Sequence, residues 1–169
     1  MSGLCIAIAL LRNGIGDVTI YEKADDVGGT WRDNTYPGLF CDVPSRVYQY
    51  SFARKPDWSQ MFSPGGEIQA YFQGIADTFG LRDRIRFGTE IVSARFDGGR
   101  WALRTGAGAE SEVDFLISAT GVLHHPRVPS LPGAGDFGGH LFHSARWDHS
   151  VELRGRRVAG GQHGLHSIQ

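Results

Sequence analysis

Gly3 and Glu22 are the first residues along the chain whose types and spacing point to a chemistry. Gly3 heads an apolar stretch of helical spacing, Leu4 to Leu11, that ends at the capping pair Asn13-Gly14. The β-branched run Asp17-Val18-Thr19-Ile20-Tyr21-Glu22 follows and finishes on the acid. In a dinucleotide-binding βαβ unit, the last glycine of G-x-G-x-x-G lies on the first helical turn, where helix and strand pack closely. An acid about 20 residues further on accepts hydrogen bonds from the ribose hydroxyls. Gly3 and Glu22 fit those two places, although the preceding strand and the first two glycines of the turn are not in the chain. Glu22 by itself reads equally as a solvated strand-end charge.

A second chemistry is raised by His124, His125, His140, His143 and His149, which fall within a short span. They lack H-E-x-x-H or Cys/His spacing, and the acids that could complete a set are scattered, so no metal is expected. Cys5 and Cys41 form no close pair and are expected to stay reduced, without a catalytic role.

The elements that must position these residues follow from periodicity. After Ser63-Pro64-Gly65-Gly66-Glu67 comes an amphipathic helix over 68–79, with Ile68, Tyr71, Phe72, Ile75 and Phe79 at helical spacing and Gly80 as its stop. Those aromatics are expected in the core. Three strand-like runs follow, 85–96, 100–104 and 112–118, with Gly98-Gly99 as the turn between the first two. The pattern predicts an α/β fold, doubly wound and Rossmann-like, with a small antiparallel β excursion and a sheet truncated before its first strand.

With 169 residues the chain is about one domain and has enough apolar residues for a core. Its net charge is −1, with Lys and Arg spread along the chain, which argues against nucleic acid or an anionic membrane surface as partner. A small-molecule ligand is the better expectation. The longest apolar run, Leu4 to Leu11, is too short to cross a bilayer and carries no signal-peptide features, so a soluble cytoplasmic protein is expected.

Two longer patterns sharpen this reading. Residues 137–148, Phe-Gly-Gly-His-Leu-Phe-His-Ser-Ala-Arg-Trp-Asp, fit F-x-G-x-x-x-H-x-x-x-W-[P/D] at Phe137, Gly139, His143, Trp147 and Asp148. Residues 28–42 fit G-G-x-W-x-x-x-x-Y-P-G-x-x-x-D from Gly28 to Asp42. Read plainly, the first is a turn with two core aromatics and the second a Gly/Pro loop with a packed indole. Together, and in this order, they resemble the signatures of Baeyer–Villiger monooxygenases. The resemblance covers nearly all of residues 1–159. Ala119-Thr120-Gly121 further resembles the segment by which two-dinucleotide flavoproteins leave the flavin domain.

The resemblance implies a partial FAD-binding domain over 1–157, with cofactor contacts at Gly3, Glu22, Gly29, Thr30, Trp31, Asp42, Tyr48, Ile91, Thr120 and Gly121. Asp42 would stand beside flavin and nicotinamide as the acidic neighbour of an active-site arginine outside this chain; its plain reading is a loop-capping acid. Core packing is equally compatible with Tyr48. His143 would couple domains rather than take protons from substrate. In the implied reaction NADPH reduces FAD, and an oxygen atom from O2 enters next to a ketone carbonyl to give an ester or lactone. An N- or S-oxygenating flavin monooxygenase shares this plan, and Trp147-Asp148 argues for the ketone-oxidising branch. A decayed or mis-called gene product without activity is the other alternative.

Residues 158–169 stand where the family opens its NADP-binding domain with a strand and a turn of the type V-I-G-T-G-S-T-A. Allowed codons for Gly160 to Gln169, read with the first base skipped, give V-V-S-T-G-S-T-A-S, so the tail is expected to be an out-of-frame reading of that turn. The chain alone is expected to be inactive and unable to hold FAD stoichiometrically, because the missing strand is central in the order 3-2-1-4-5-6.

Overall fold

The structure, a computed structural model, describes residues 1–161. Helix α1 (Ser2–Arg12) buries Leu4, Ala7 and Ile8, the i, i+3, i+4 stripe that faces a core. It stops where the Asn13 side chain donates to the Ala9 carbonyl at 2.8 Å and Gly14 takes a φ of +80°. Strand β1 (Ile20–Tyr21) then lies parallel to β2 (Ile85–Arg86), with Ile20 opposite Ile85.

Between these two strands the chain makes the single turn α2 (Thr30–Asp33) and the longer helix α3 (Gly65–Thr78). Ile68, Tyr71, Phe72, Ile75 and Ala76 of α3 are buried and pack with Leu4, Ala7 and Ile8 of α1 and with Leu81 and Ile85, forming the core. The expected aromatic stripe is therefore core, with Phe79 half-buried at its edge and Gly80 at φ +61° ending the helix.

The antiparallel excursion is a three-stranded sheet of β3 (Ile91–Asp97), β4 (Arg100–Thr105) and β5 (Glu110–Val113). Asp97 pairs with Arg100 across Gly98-Gly99, both at positive φ, which suits the tight turn the right-handed twist of a hairpin prefers.

Three strand expectations are corrected. The β-branched run 17–22 forms a ladder only at Ile20 and Tyr21. The run 85–96 divides, its first residues joining the parallel pair and its later ones the antiparallel sheet. The run 112–118 ends as a strand at Val113, and beyond it Phe115 is 87% and Ile117 50% exposed. Apolar alternation marks a segment able to pair, but a ladder also needs a neighbour to take its N–H and C=O groups. No strand among the described residues pairs with Phe115–Ser118, and β1 pairs on one side only.

Candidate functional site

Glu22 is fixed by its backbone before its side chain does anything. Its N–H donates to the Arg86 carbonyl at 3.1 Å and its own carbonyl accepts from Thr89 N–H at 2.9 Å, so both backbone groups of the residue after β1 are held by the β2 segment. Its Oε1 accepts from the Ala24 N–H at 3.0 Å and faces Arg32 Nη1 at 3.4 Å. Among the described residues Oε2 has no partner, leaving one carboxylate oxygen for a donor such as a ribose hydroxyl.

No side chain caps the N-terminus of α1. Its first-turn N–H groups are therefore open donors, and the positive end of the helix dipole favours an anion there. A Cβ placed on Gly3 would lie 3.6 Å from that of Ala119, an ordinary contact, so the described residues leave room for a methyl group. The same closeness sets Gly3 beside the segment leading to Thr120 and Gly121. Both of these are exposed, with Gly121 at φ +76°.

The loop from Gly28 to Asp42 wraps the start of α3. Gly28 has φ +131°, and a Cβ there would come within 3.0 Å of the Arg32 Cβ; Gly29 caps α2 at φ +55° with open space around it. Thr30 begins α2. Trp31 Nε1 donates to the Tyr48 hydroxyl at 3.2 Å, and the two rings meet edge to face at 5.6 Å. Burial pushes the Tyr48 phenol above its ordinary value, against the lowering pull of the Trp31 bond. Asp42 is exposed, next to Cys41, which is buried and whose thiol burial pushes up, the opposite of a reactive cysteine.

Each fixed position of residues 137–148 has a local reason. A Cβ on Gly139 would lie 2.7 Å from the Phe137 ring, so only glycine lets that ring fold over the backbone two residues on. His143 caps a short 3-10 turn, Ser144–Arg146, its Nδ1 accepting from the Ala145 N–H at 3.0 Å. That bond leaves Nε2 to carry the proton of the neutral ring. Trp147 packs edge to face on Phe142 at 5.0 Å and lies 6.4 Å from Tyr36. Asp148 Oδ1 accepts from both the N–H and the hydroxyl of Ser150, which hold its carboxyl below the usual range.

Two more contacts tie this segment and the linker before it to the loop of Gly28 to Asp42. Thr35 Oγ1 is 2.8 Å from His149 Nε2, and Asp33 Oδ2 is 3.3 Å from His124 Nδ1. Asp33 and His124 also line a cleft of about 500 Å3, together with Lys23, Arg32, Glu90, Thr105 and Arg146. Ile91 starts β3 opposite Thr105, beside that cleft. The reading of the sequence passed over Arg32, Thr35 and Tyr36. The only signal for them was their place inside the second signature. Among the described residues no three His, Cys, Asp or Glu side chains gather into a metal-binding group. No helix there is long and apolar enough to cross a membrane.

Residues 1–64 match the model of the NAD(P)-binding Rossmann-like domain. The chain is 74% identical over 140 residues to an uncharacterised monooxygenase of Mycobacterium tuberculosis, covering 83% of this chain and 28% of that protein. It is 48% identical over 169 residues to a Baeyer–Villiger monooxygenase of Streptomyces coelicolor, covering 99% of this chain. The chain is homologous to the Baeyer–Villiger monooxygenases. It spans 32% of the length of the Streptomyces relative. A solved complex of OTEMO with FAD and NADP superposes on 84% of this chain and 28% of its own, at a TM-score of 0.75 and 34% identity. The parallel pair, helices and antiparallel excursion are thus a Rossmann-like α/β architecture, like that of the part of this flavin-bound structure on which they superpose.

Proposed function

We propose that this chain is the FAD-binding portion of a flavin monooxygenase that uses NADPH and O2 to insert oxygen next to the carbonyl of a small-molecule ketone. One observation carries the reading: Glu22, directly after β1, has a carboxylate oxygen without a partner among the described residues, while the first turn of α1 presents uncapped N–H donors. That donor and acceptor set fits the ribose and pyrophosphate of a dinucleotide. Gly3, Thr120 and Gly121 stand near the helix end, Gly29, Thr30 and Trp31 form the turn that approaches the cofactor, and Ile91 borders the adenosine side. Asp42 and Tyr48 lie against the flavin.

The bound flavin would supply the two-electron and oxygen chemistry, and the protein its binding, orientation and shielding from water. Gly29 holds a backbone conformation that a side chain rarely adopts, so the cofactor can approach the main chain there. Trp31 and Tyr48 brace each other through one hydrogen bond and an edge-to-face contact, which fixes the face they offer. His143, Trp147 and Asp148 shape a segment that couples the flavin and nicotinamide domains. Residues 1–157 are assigned to the flavin domain and 158–169 to the opening of the NADP domain in a shifted frame, of which 162–169 lie outside the described residues. A cytoplasmic, membrane-free setting and inactivity of the chain by itself complete the proposal.

The test is a completed protein in which the rest of the Streptomyces coelicolor relative is joined to this chain. NADPH- and O2-dependent conversion of a ketone to an ester or lactone is expected. Oxygenation of amines or thioethers with ketones left untouched would overturn the ketone assignment.

A further inference from the structure

Arg32 stands at the centre of a chain of charges that runs away from Glu22. Its side chain is 12% exposed and its guanidinium spends its donors in different directions. Nη1 donates to the Asp26 carbonyl and faces Glu22 Oε1 at 3.4 Å, while Nε and Nη2 reach Asp33 Oδ1 at 2.9 and 2.8 Å. Asp33 in turn offers Oδ2 to His124 Nδ1 at 3.3 Å. Glu22, Arg32, Asp33 and His124 thus connect the end of β1 to the linker that follows Gly121.

We propose that Arg32 is a positioning residue for Glu22: it holds Oε1, keeps Oε2 turned toward the adenosine ribose of FAD, and is itself held by Asp33 and His124. This rests on the reading that Glu22 takes the ribose. At 3.4 Å and with both side chains mostly buried, the Arg32–Glu22 pair has its consequence in geometry, since it fixes where the carboxylate points. With Oε1 shared between Ala24 N–H and Arg32, rotation of the carboxylate would break two contacts, and the acceptor is fixed before the ligand arrives. Preorganisation of this kind shows as affinity, because the ordering cost is met in advance. A lysine could neutralise Glu22 but lacks the fork that reaches Asp26 and Asp33 at the same time.

The experiment uses the completed protein stripped of flavin, with FAD and FMN affinities measured for the wild type, Arg32→Met, Arg32→Lys, Glu22→Gln and Arg32→Met/Glu22→Gln. Arg32→Met is expected to weaken FAD about ten-fold, corresponding to roughly 1.4 kcal/mol, with Arg32→Lys in between. FMN, which lacks the adenosine ribose, is expected to bind all five alike, and Arg32→Met is expected to add nothing once Glu22 is Gln. Equal losses for FAD and FMN, or additive losses in the double variant, would overturn the positioning role. If Arg32→Met does not fold, Arg32→Lys against Glu22→Gln decides by the same comparison. A wild type that binds no FAD would overturn the reading of the site and this inference with it; FAD binding indifferent to Arg32 would overturn the inference alone.

Discussion

The ring of Trp147 lies 6.4 Å from that of Tyr36, so the last aromatic of one signature pattern touches the tyrosine of the other across more than a hundred residues of chain. With Thr35–His149 and Asp33–His124, this makes the loop after Gly28 a clasp on the segment of residues 137–148. The clasp connects the turn proposed to approach the cofactor with the segment proposed to couple the domains.

Opening it should separate binding from turnover. In the completed protein, Trp147→Ala or His143→Ala is expected to leave FAD content unchanged while slowing NADPH-driven turnover or leaking peroxide, seen by comparing NADPH consumed with ester formed. Tyr36→Ala is expected to act in the same direction and more weakly, since a tilted aromatic pair contributes roughly 0.5–1.5 kcal/mol. Loss of an indole from its packing can cost ~3–5 kcal/mol, so thermal unfolding must be followed alongside. Loss of flavin at intact fold would contradict the coupling role.

The start of α3 leaves no room for a side chain. A Cβ on Gly65 would stand 2.6 Å from Leu39 Cδ2 and 3.3 Å from Trp31 Cε3. Gly65→Ala is therefore expected to destabilise the protein by roughly 1–3 kcal/mol through overpacking. Trimming the neighbour, Leu39→Ala with Gly65→Ala, should recover part of that loss; identical unfolding midpoints for the single variant and the wild type would contradict the close approach.

Asp26 sets an expected pH dependence. Burial would push its carboxyl up, but bonds from Gln73, the Val27 N–H and Arg82 outweigh burial and hold it below the ordinary range. A carboxyl depressed in the folded state stabilises above its unfolded pKa, about 3.9, and that contribution is lost as pH falls through the folded value. Asp26→Asn is expected to lower stability at pH 7 by roughly 1–2 kcal/mol and to narrow the gap to wild type below about pH 4. A gap that stays constant from pH 7 to pH 3 would contradict the ionised Asp26.

Much of the local chemistry was legible. The turn of residues 137–148 was legible because its partners lie within a few positions of each other, whereas the Phe137 ring, exposed and not in the core, over Gly139, the His143 cap and the Asp148 acceptor came only with the structure. Gly98-Gly99, the helix stripe Ile68 to Ile75 and the stop at Gly80 were legible for the same reason. Arg32 was not, because its meaning lies in Glu22, Asp26, Asp33 and His124, which come together only when the loop folds back onto β1. The strand expected over 112–118 failed for the complementary reason: alternation records what a segment can pair with, and the partner is not among the described residues.

That unpaired segment sets an expectation for the chain by itself. Phe115, Leu116 and Ile117 are all exposed, and the parallel pair β1–β2 has an unpaired edge on each side among the described residues. Open apolar edges invite association. The 169-residue chain alone is expected to be insoluble or to populate molten or associated forms, detected by sedimentation and by dye binding to apolar surface. A soluble monomer carrying one flavin would contradict this.

FAD titration of the completed wild type against Glu22→Ala tests the central claim most directly. The wild type is expected to be purified yellow and to rebind one FAD per chain. Glu22→Ala should weaken that binding by roughly ten- to a hundred-fold, the 1.5–3 kcal/mol of hydrogen bonds to a charged acceptor. A colourless wild type, or an Ala variant that binds FAD as tightly as the wild type, would contradict the assignment of Glu22 and the flavin site built on it.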